Sequence, residues 1–267
     1  MKNVLLLVHE DPGQESRLQA ALDLTRAIEG HLTCLAVTVM PFVSADFYDG
    51  SLQQMIVAEQ LERQAAVRKT LEARLANEGV SWDWIDVTGG IGSALNDTAR
   101  MADIVVVSRK LDTEATADLR AVASQVVVGS GRLVVAVPEH ALSFDATGVA
   151  LVAWDGSDEA MNALRSAVPL LKLARSVTIL EISDGSIETP AEEAAAYLSR
   201  HGVRPEVLRT PKDDLPVAVT ILGEAESHGA DYIVMGGYGH ARAFEAMFGG
   251  ASREVLSESA IPTVMAH

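Results

Sequence analysis

Short apolar runs alternate with longer stretches of helical spacing along the chain. In the first half, apolar runs predict strands at Val4–Val8, Leu32–Val39, Ile104–Val107 and Leu133–Val137, and the alternating stretch Val80–Val87 predicts a half-buried strand. Helical spacing predicts helices over Gln14–Glu29, Leu52–Glu78, Ile91–Met101 and Leu119–Val128, with Gly30 and Gly79 as helix stops and an irregular stretch at Met40–Gly50. Because strands that alternate with helices need crossover connections, the pattern predicts an α/β fold with a doubly wound parallel sheet.

The second half repeats this order. Val4–Val37 aligns with Val149–Ile182 without a gap at an offset of 145 (149 − 4), and Ala102–Val137 aligns with Ala230–Met265 at an offset of 128 (230 − 102). The first half therefore holds 17 more residues between these blocks (145 − 128). Two unequal copies of one unit indicate a duplication and not a repeat array.

The chain has 267 residues, of which 48% are hydrophobic and 22% charged, so it can form two domains of ordinary size. We predict a first domain over residues 1–140, a linker at Pro138–Gly148 and a second domain over residues 148–267. The extra residues of the first copy are expected in the helix Leu52–Glu78, because its counterpart Ala191–Arg200 is short.

Glycines cluster after the predicted strand Tyr232–Met235 of the second half. Gly236, Gly239 and Gly249 follow it with the spacing G-x-x-G-x9-G. Glycines leave the main chain uncovered, and a helix that begins near Gly249 would direct its free N–H groups towards this turn, so the pattern predicts a phosphate site. A dinucleotide fingerprint fails because its third glycine position is Arg242, and a Walker A loop fails because no Gly-Lys pair occurs.

Only the second copy is predicted to keep this site. At the offset of 128, Gly236, Gly239 and Gly249 correspond to Ser108, Leu111 and Ala121, and at the offset of 145 Asp155 corresponds to Glu10. A branched side chain at Leu111 disfavours positive φ and blocks the approach of the main chain to a ligand.

Together with the segment VALVAWDGSDEA (Val149–Ala160), the glycine pattern resembles the universal stress protein family. The family carries Ser or Thr after the last glycine, where this chain has Gly250, and a hydroxyl returns at Ser252. The resemblance covers both halves unequally. It implies two doubly wound parallel-sheet, adenine nucleotide alpha hydrolase-like domains, related by pseudo-twofold symmetry and paired through their last strands, here Leu133–Val137 and Pro262–Ala266.

In ATP-binding members of this family, the Asp after the first strand contacts the adenosine and the glycine loop holds the phosphates. The resemblance therefore implies a site for ATP or AMP, with Mg²⁺ as a further candidate. Carried over position by position, its residues are Ala153, Trp154, Asp155, Met235, Gly236, Tyr238, Gly239, Gly249, Gly250 and Ser252. The expectation agrees with the rule that ligands of open parallel sheets bind at the carboxyl ends of the strands, where the strand order reverses.

Each of these residues also has a structural interpretation. Asp155 and Ser157 could form only a turn and a helix N-cap, Trp154 could be a core residue, and the glycines could serve tight turns or close packing. His240, Arg242 and Arg253 are the nearest basic candidates for phosphate oxygens, although Arg253 could equally be a solvated helix residue.

Composition narrows the class of function. A net charge of −16 argues against a nucleic-acid partner, and no apolar stretch approaches the ~20 residues of a membrane span, so a cytoplasmic protein is expected. The single cysteine, Cys34, is interpreted as a buried hydrophobe and not as a redox thiol. His9, Glu10 and Asp11 could form a metal cluster, but a solvated loop is the favoured interpretation.

We expect a nucleotide-responsive regulatory protein of the stress response that acts on an unidentified protein partner, with a homodimer of the tandem chain as a further expectation. The alternatives are a dimerisation scaffold that binds no nucleotide and a slow ATP hydrolase. The hydrolase ranks lower because the loop offers no candidate general base and neither G-x-S-x-G nor H-E-x-x-H occurs.

Overall fold

A computed structural model of the chain describes residues 1–39, 50–109, 120–183, 187, 189–212, 214–237 and 250–267. The elements of the first half are β1 (Asn3–Val8), α1 (Gln14–Ala27), β2 (His31–Thr38), α2 (Gly50–Leu75), β3 (Ser81–Thr88), α3 (Ile91–Thr98) with a 3₁₀ turn at Ala99–Met101, β4 (Ile104–Ser108), α4 (Arg120–Ser130) and β5 (Leu133–Val137). Those of the second half are β6 (Val149–Trp154), α5 (Asp158–Leu171), β7 (Ser176–Ser183), α6 (Ala191–Arg200), β8 (Pro205–Pro211), α7 (Val217–Ser227), β9 (Tyr232–Gly236), α8 (Gly250–Glu258) and β10 (Thr263–Ala266).

All these strands join one ten-stranded sheet in the order β3-β2-β1-β4-β5-β10-β9-β6-β7-β8. Neighbouring strands are parallel within each half, and β5 pairs with β10 in the antiparallel sense, with Val135 opposite Val264. The predicted α/β fold and the pairing through the last strands are confirmed. Because β5 and β10 run in opposite directions, the carboxyl ends of the two parallel sheets lie at opposite edges of the continuous sheet.

The helices form a layer on each face of this sheet. One face packs α1, α2, α5 and α6 around an apolar core that includes Leu6, Leu22 and Val152. The opposite face packs α3, α4, α7 and α8 around a second core that includes Leu5, Val126 and Leu256. Because helices cover both faces of the sheet, residues on both sides of the central strands are buried, and these strands therefore have continuous apolar sequences.

The predicted gapless alignment of the copies is wrong by one residue at two places. Val4 pairs with Leu32 whereas Ala150 pairs with Val177, so β1 and β6 differ by 146 (150 − 4) while β2 and β7 differ by 145 (177 − 32). Consequently Asp155 corresponds to His9 and not to Glu10. Val105 pairs with Val134 and Ile233 pairs with Thr263, so β5 and β10 likewise differ by 129 (263 − 134), although β4 and β9 keep the predicted 128 (233 − 105).

The end of α1 also differs from the prediction at Gly30. The left-handed residue is Glu29, with a φ of 47°. The N–H of Gly30 donates to the Thr25 carbonyl oxygen at 2.8 Å, which closes the last turn of the helix. A Cβ at Gly30 would lie 2.5 Å from the Lys2 carbonyl oxygen, so glycine is required there by close packing of two chain segments.

The linker Pro138–Gly148 packs against the sheet. Phe144 and Ala146 are each 2% exposed, and the Phe144 ring stacks on Tyr232 with 5.1 Å between the ring centroids. Whether residues 1–140 and 148–267 behave as separate domains stays a prediction.

Cys34 lies in the core, as the sequence predicts, with no exposed surface. Burial, helped by the charge of Asp83, raises the pKa of its thiol to about 12, so the reactive thiolate is disfavoured. Among the described helices, none is both long enough and apolar enough to cross a membrane.

Candidate functional site

The strand order of the second half reverses between β6 and β9. β6 has β7 on one side and β9 on the other, and Val152 pairs with Val234, which brings the strand ends Trp154 and Gly236 level with each other. A crevice at such a point, beyond the carboxyl ends of the strands, is the usual ligand site of an open α/β sheet. The predicted residues Ala153, Trp154, Asp155, Met235 and Gly236 therefore share one edge of the sheet.

The first turn of α8 lies beside the end of β9. The Ser252 hydroxyl is 3.4 Å from the Gly236 carbonyl oxygen, to which it donates. Gly250 is the first described residue of α8, and no heavy atom of the described residues would lie within 4 Å of a Cβ built on it. The first N–H groups of a helix have no partner within the helix, and the first turn of α8 lies at the end of β9.

The turn after β6 fits the structural interpretation of Asp155. One carboxylate oxygen of Asp155 accepts the N–H of Ser157 at 3.0 Å and its hydroxyl at 2.6 Å. The Ser157 oxygen in turn accepts the N–H of Ala160 at 3.2 Å and so caps α5. The Asp155 side chain is nevertheless exposed and remains accessible to a ligand.

Ala153 and Trp154 belong to opposite faces of the sheet. Ala153 packs with the α7 and α8 core, whereas Trp154 is 4% exposed in the α5 and α6 core. The Trp154 indole N–H donates to the Thr189 carbonyl oxygen at 2.9 Å. Of the two interpretations that the sequence left open for Trp154, the geometry favours the core residue. Met235 is also buried, on the side of Ala153.

Gly236 allows β9 to approach the first turn of α5. A Cβ at this position would lie 2.6 Å from the Ala160 nitrogen and 2.8 Å from the Glu159 carbonyl carbon, and both atoms belong to the main chain. Close packing is therefore a sufficient reason for this glycine, whatever ligand the edge binds. The predicted residues Tyr238, Gly239 and Gly249, and the basic candidates His240 and Arg242, lie outside the described residues; Arg253 is exposed on α8.

A buried arginine occupies the matching edge of the first half, which the sequence analysis missed. The Arg17 guanidinium has no exposed surface. Its Nε donates to the Leu7 carbonyl oxygen at 2.7 Å, and Nη2 donates to the His9 carbonyl oxygen and to Asp11 Oδ2, both at 2.9 Å. Nη1 donates to Asp11 Oδ1 at 3.2 Å and, more closely, to the Ser108 hydroxyl.

The side chains around Arg17 form a closed polar cluster, which we call the Arg17 cluster and define as Arg17, Asp11, His9, Gln14 and Ser108. Gln14 accepts from Arg17 Nη2 at 2.8 Å and from the His9 N–H at the same distance, and His9 Nδ1 lies 3.2 Å from Asp11 Oδ2. The cluster spans the ends of β1 and β4. Its only sequence signal is the spacing of Arg17 with the core residues Ala21 and Leu24 on one face of α1.

Burial and charge act against each other in the Arg17 cluster. Burial by itself would raise the pKa of the Asp11 carboxyl, but hydrogen bonds from His9 and Arg17 and the positive charge of Arg17 outweigh it and hold that pKa below its usual value. Burial lowers the pKa of the Arg17 guanidinium, and Asp11 offsets part of this shift. The pair therefore stays ionised at neutral pH.

The solvated-loop interpretation of His9, Glu10 and Asp11 is wrong for Asp11, whose side chain has no exposed surface. The reason is the ion pair with Arg17, which draws the carboxylate into the fold. Within the described ranges, no group of three or more His, Cys, Asp or Glu side chains is placed to hold a metal ion.

Comparison with known proteins matches the second half of the chain to a protein family. Residues 148–267 match the Universal stress protein family. Residues 148–267 are therefore a universal stress protein domain, and the first half has the same fold, which is consistent with the predicted tandem arrangement. No curated protein matches the sequence.

Two solved structures are similar over the full chain. A universal stress protein from Archaeoglobus fulgidus DSM 4304 matches with a TM-score of 0.77 and 18% identity, covering 99% of this chain and 97% of that one. A functionally unknown protein from Pseudomonas aeruginosa PAO1 matches with a TM-score of 0.62 and 14% identity, covering 100% of this chain and 92% of that one. At these identities the likeness shows a shared fold.

Proposed function

We propose that the C-terminal half binds an adenine nucleotide, ATP or AMP, and that the protein acts in the stress response as a nucleotide-responsive regulator. The phosphates would contact the main chain of the segment from Gly236 to Gly250 and the first turn of α8, and Asp155 would contact the adenosine. Mg²⁺ would accompany a bound triphosphate.

The observation that carries this proposal is the placement of α8. Its first turn lies next to the end of β9, as the contact of Ser252 with the Gly236 carbonyl oxygen at 3.4 Å records, and β6 with Asp155 is the adjacent strand. Free N–H groups and the positive end of the helix dipole favour an anion there. An exposed carboxylate one strand away suits hydroxyl or amino groups of a nucleoside better than another phosphate.

The negative net charge of the protein also favours an anion site built from local main-chain N–H groups. With a net charge of −16, the protein as a whole repels a triphosphate, so affinity has to come from groups in contact with it. We therefore expect affinity for a small nucleotide without affinity for nucleic acid.

We do not extend the proposal to the first half. The ends of β1 and β4 there are bridged by the Arg17 cluster, and the guanidinium has no exposed surface with which to contact a ligand. One nucleotide per chain is the expected stoichiometry.

Titration calorimetry and thermal unfolding with ATP, AMP and GTP test the proposal. At 100 times its dissociation constant, a nucleotide should add about 2.7 kcal/mol to the free energy of unfolding, which shifts the melting temperature visibly. Gly239→Leu places in the second half the residue that the sequence aligns with it in the first half, and it should abolish the shift. If ATP and AMP leave wild type unchanged, the scaffold that binds no nucleotide is the better description.

Slow hydrolysis is tested separately, by timed phosphate release with wild type and Gly239→Leu. Equal rates in both proteins would assign the activity elsewhere, and loss of the rate in the variant would assign it to this loop. Light scattering with and without ATP tests the further proposal that the tandem chain forms a homodimer or changes its assembly in response to nucleotide.

A further inference from the structure

The residue that follows the fourth strand of each half contacts the opposite half. β4 continues into Arg109 and β9 into Gly237, and these residues correspond at the offset of 128 that relates the two strands (237 − 109). One position thus carries the longest basic side chain in the first copy and no side chain in the second.

Arg109 binds the end of the helix that begins at the proposed phosphate site. Its Nη1 donates to the Ser257 carbonyl oxygen at 2.5 Å and to the Ser259 carbonyl oxygen at 2.9 Å. These carbonyl groups belong to the last turn of α8 and to the residue just beyond it, where a helix leaves acceptors unpaired and carries partial negative charge. The Arg109 guanidinium of the first half therefore holds the C-terminal end of α8 in place through hydrogen bonds.

Gly237 is in contact with the first half as well. A Cβ on Gly237 would lie 2.8 Å from Cγ1 of Val127, which belongs to α4, and 3.1 Å from Cε of Met265. The Gly237 N–H donates to the Ala266 carbonyl oxygen at 2.9 Å, which fixes the main chain at this point. The position of Gly237 is therefore limited by α4 of the first half.

We propose that the first half positions the two described ends of the proposed phosphate site, with Val127 fixing Gly237 at the end of β9 and Arg109 fixing the far end of α8. This inference rests on the proposed nucleotide site. The copy that lacks a ligand site of its own would then support the site of the other copy.

The length of α8 makes such support effective. The helix has nine described residues, of which Val255 and Leu256 are buried. Helices this short are not stable alone in water and depend on tertiary contacts. Main-chain donors hold an anion well only when their directions are fixed in advance, so loosening one end of α8 should weaken contacts at the other.

Arg109→Met removes the two hydrogen bonds to α8 while keeping an unbranched side chain. Arg132→Met is the matched control, because Arg132 also donates to a main-chain carbonyl group, that of Arg100, but within the first half. Binding of ATP, inorganic tripolyphosphate and adenosine is measured by calorimetry well below the melting temperature. We expect Arg109→Met to weaken ATP and tripolyphosphate about two- to fivefold and to leave adenosine unchanged, and Arg132→Met to change none of the three.

Hydrogen exchange gives a readout that needs no nucleotide. Amides of residues 250–258 should exchange faster in Arg109→Met than in wild type, with no such change in Arg132→Met. If wild type binds neither ATP nor tripolyphosphate, the proposed function fails, whereas faster exchange in α8 would still support the positioning contact. Unchanged exchange together with unchanged affinities would overturn the inference.

A second pair of variants tests the contact at Gly237. Gly237→Ala forces its new Cβ against Val127 and should weaken tripolyphosphate binding, and adding Val127→Ala should restore part of the affinity by making room across the boundary between the halves. A loss that Val127→Ala does not relieve would contradict positioning by α4.

Discussion

In each half of this protein the first and fourth strands end side by side, and the two halves differ in the groups that lie at these strand ends. In the first half, the Arg17 guanidinium bridges β1, β4 and the turn to α1 through hydrogen bonds to Leu7, His9, Asp11 and Ser108. In the second half, Gly236 brings β9 against the main chain of α5, and the first turn of α8 stands beside it. The first half satisfies the polar groups at this edge internally, whereas the proposed nucleotide site lies at the matching edge of the second half.

Under the proposed function, one copy of the duplicated domain has a buried ion pair where the other copy has a ligand site. A buried ion pair needs most of its hydrogen-bonding capacity satisfied, and Arg17 achieves this with side-chain and main-chain acceptors alone. A phosphate in the corresponding place would supply its oxygens only when bound. The first half is therefore expected to keep its edge ordered at all nucleotide concentrations.

The largest expected effect comes from opening the Arg17 cluster. Arg17→Met leaves the Asp11 carboxylate buried without its partner, and the variant should lose about 3–5 kcal/mol of unfolding free energy. Arg26→Met is the control, because Arg26 pairs with Asp23 and Glu78 at the surface and should cost about 0–1 kcal/mol. Urea unfolding measures both. A loss below 1 kcal/mol in Arg17→Met would show that the two halves do not differ in this way.

The pH dependence of stability should reveal the same ion pair. Because the folded state holds the Asp11 pKa below its unfolded value, the carboxylate contributes stability that is fully present above the unfolded pKa and is lost as pH falls through the folded pKa. We expect this loss below about pH 4. Asp11→Asn cannot titrate, so its unfolding free energy should change less over that range. Parallel curves for wild type and variant would contradict the assignment.

The second half can be tested at Gly236. In Gly236→Ala the new Cβ meets main-chain atoms of Glu159 and Ala160, so α5 or β9 has to shift, at a cost of about 1–3 kcal/mol and with weaker ATP binding. Gly223→Ala in α7 is the control, since among the described residues no atom lies within 4 Å of its added Cβ and alanine favours a helix by about 0.5–1 kcal/mol. Thermal unfolding and calorimetry report both quantities. Unaltered ATP affinity in Gly236→Ala would show that Gly236 does not contribute to the nucleotide site.

Sequence patterns predicted most of the fold. They predicted fewer of the contacts at the carboxyl ends of the strands, where β1 and β4 end in the first half and β6 and β9 end in the second. Buried strands such as Leu133–Val137 are visible because both of their faces are apolar. The pairing of β5 with β10 is implied by the family resemblance, and the need to cover an apolar edge strand is a further physical reason for it. The one-residue shift that makes His9 the counterpart of Asp155 is invisible, since a difference absorbed between two strands changes neither apolar pattern.

Arg17 shows the limit of reasoning from hydrophobicity. An arginine in a helix is expected on the solvated face, and only its partners at the strand ends, distant in sequence, make its burial favourable. The alignment did predict that the first half lacks the glycine motif, and Ser108 in place of Gly236 belongs to the cluster that fills the edge. That the Arg17 cluster fills the ends of β1 and β4 could be learned only from the contacts in the structure.

The smallest expected effect is also the one that would bring the second half closer to the family pattern. Gly250 stands where the family carries Ser or Thr, and a Cβ there would meet no atom of the described residues within 4 Å, so Gly250→Ser should fold without strain. The added hydroxyl can donate to a phosphate oxygen, which is worth about 0.5–1.5 kcal/mol, and ATP should bind about two- to tenfold more tightly. Gly250→Ala is the control, because it makes the same change to the backbone without a donor. Calorimetry that finds the serine and alanine variants equal would show that no phosphate lies at the first turn of α8.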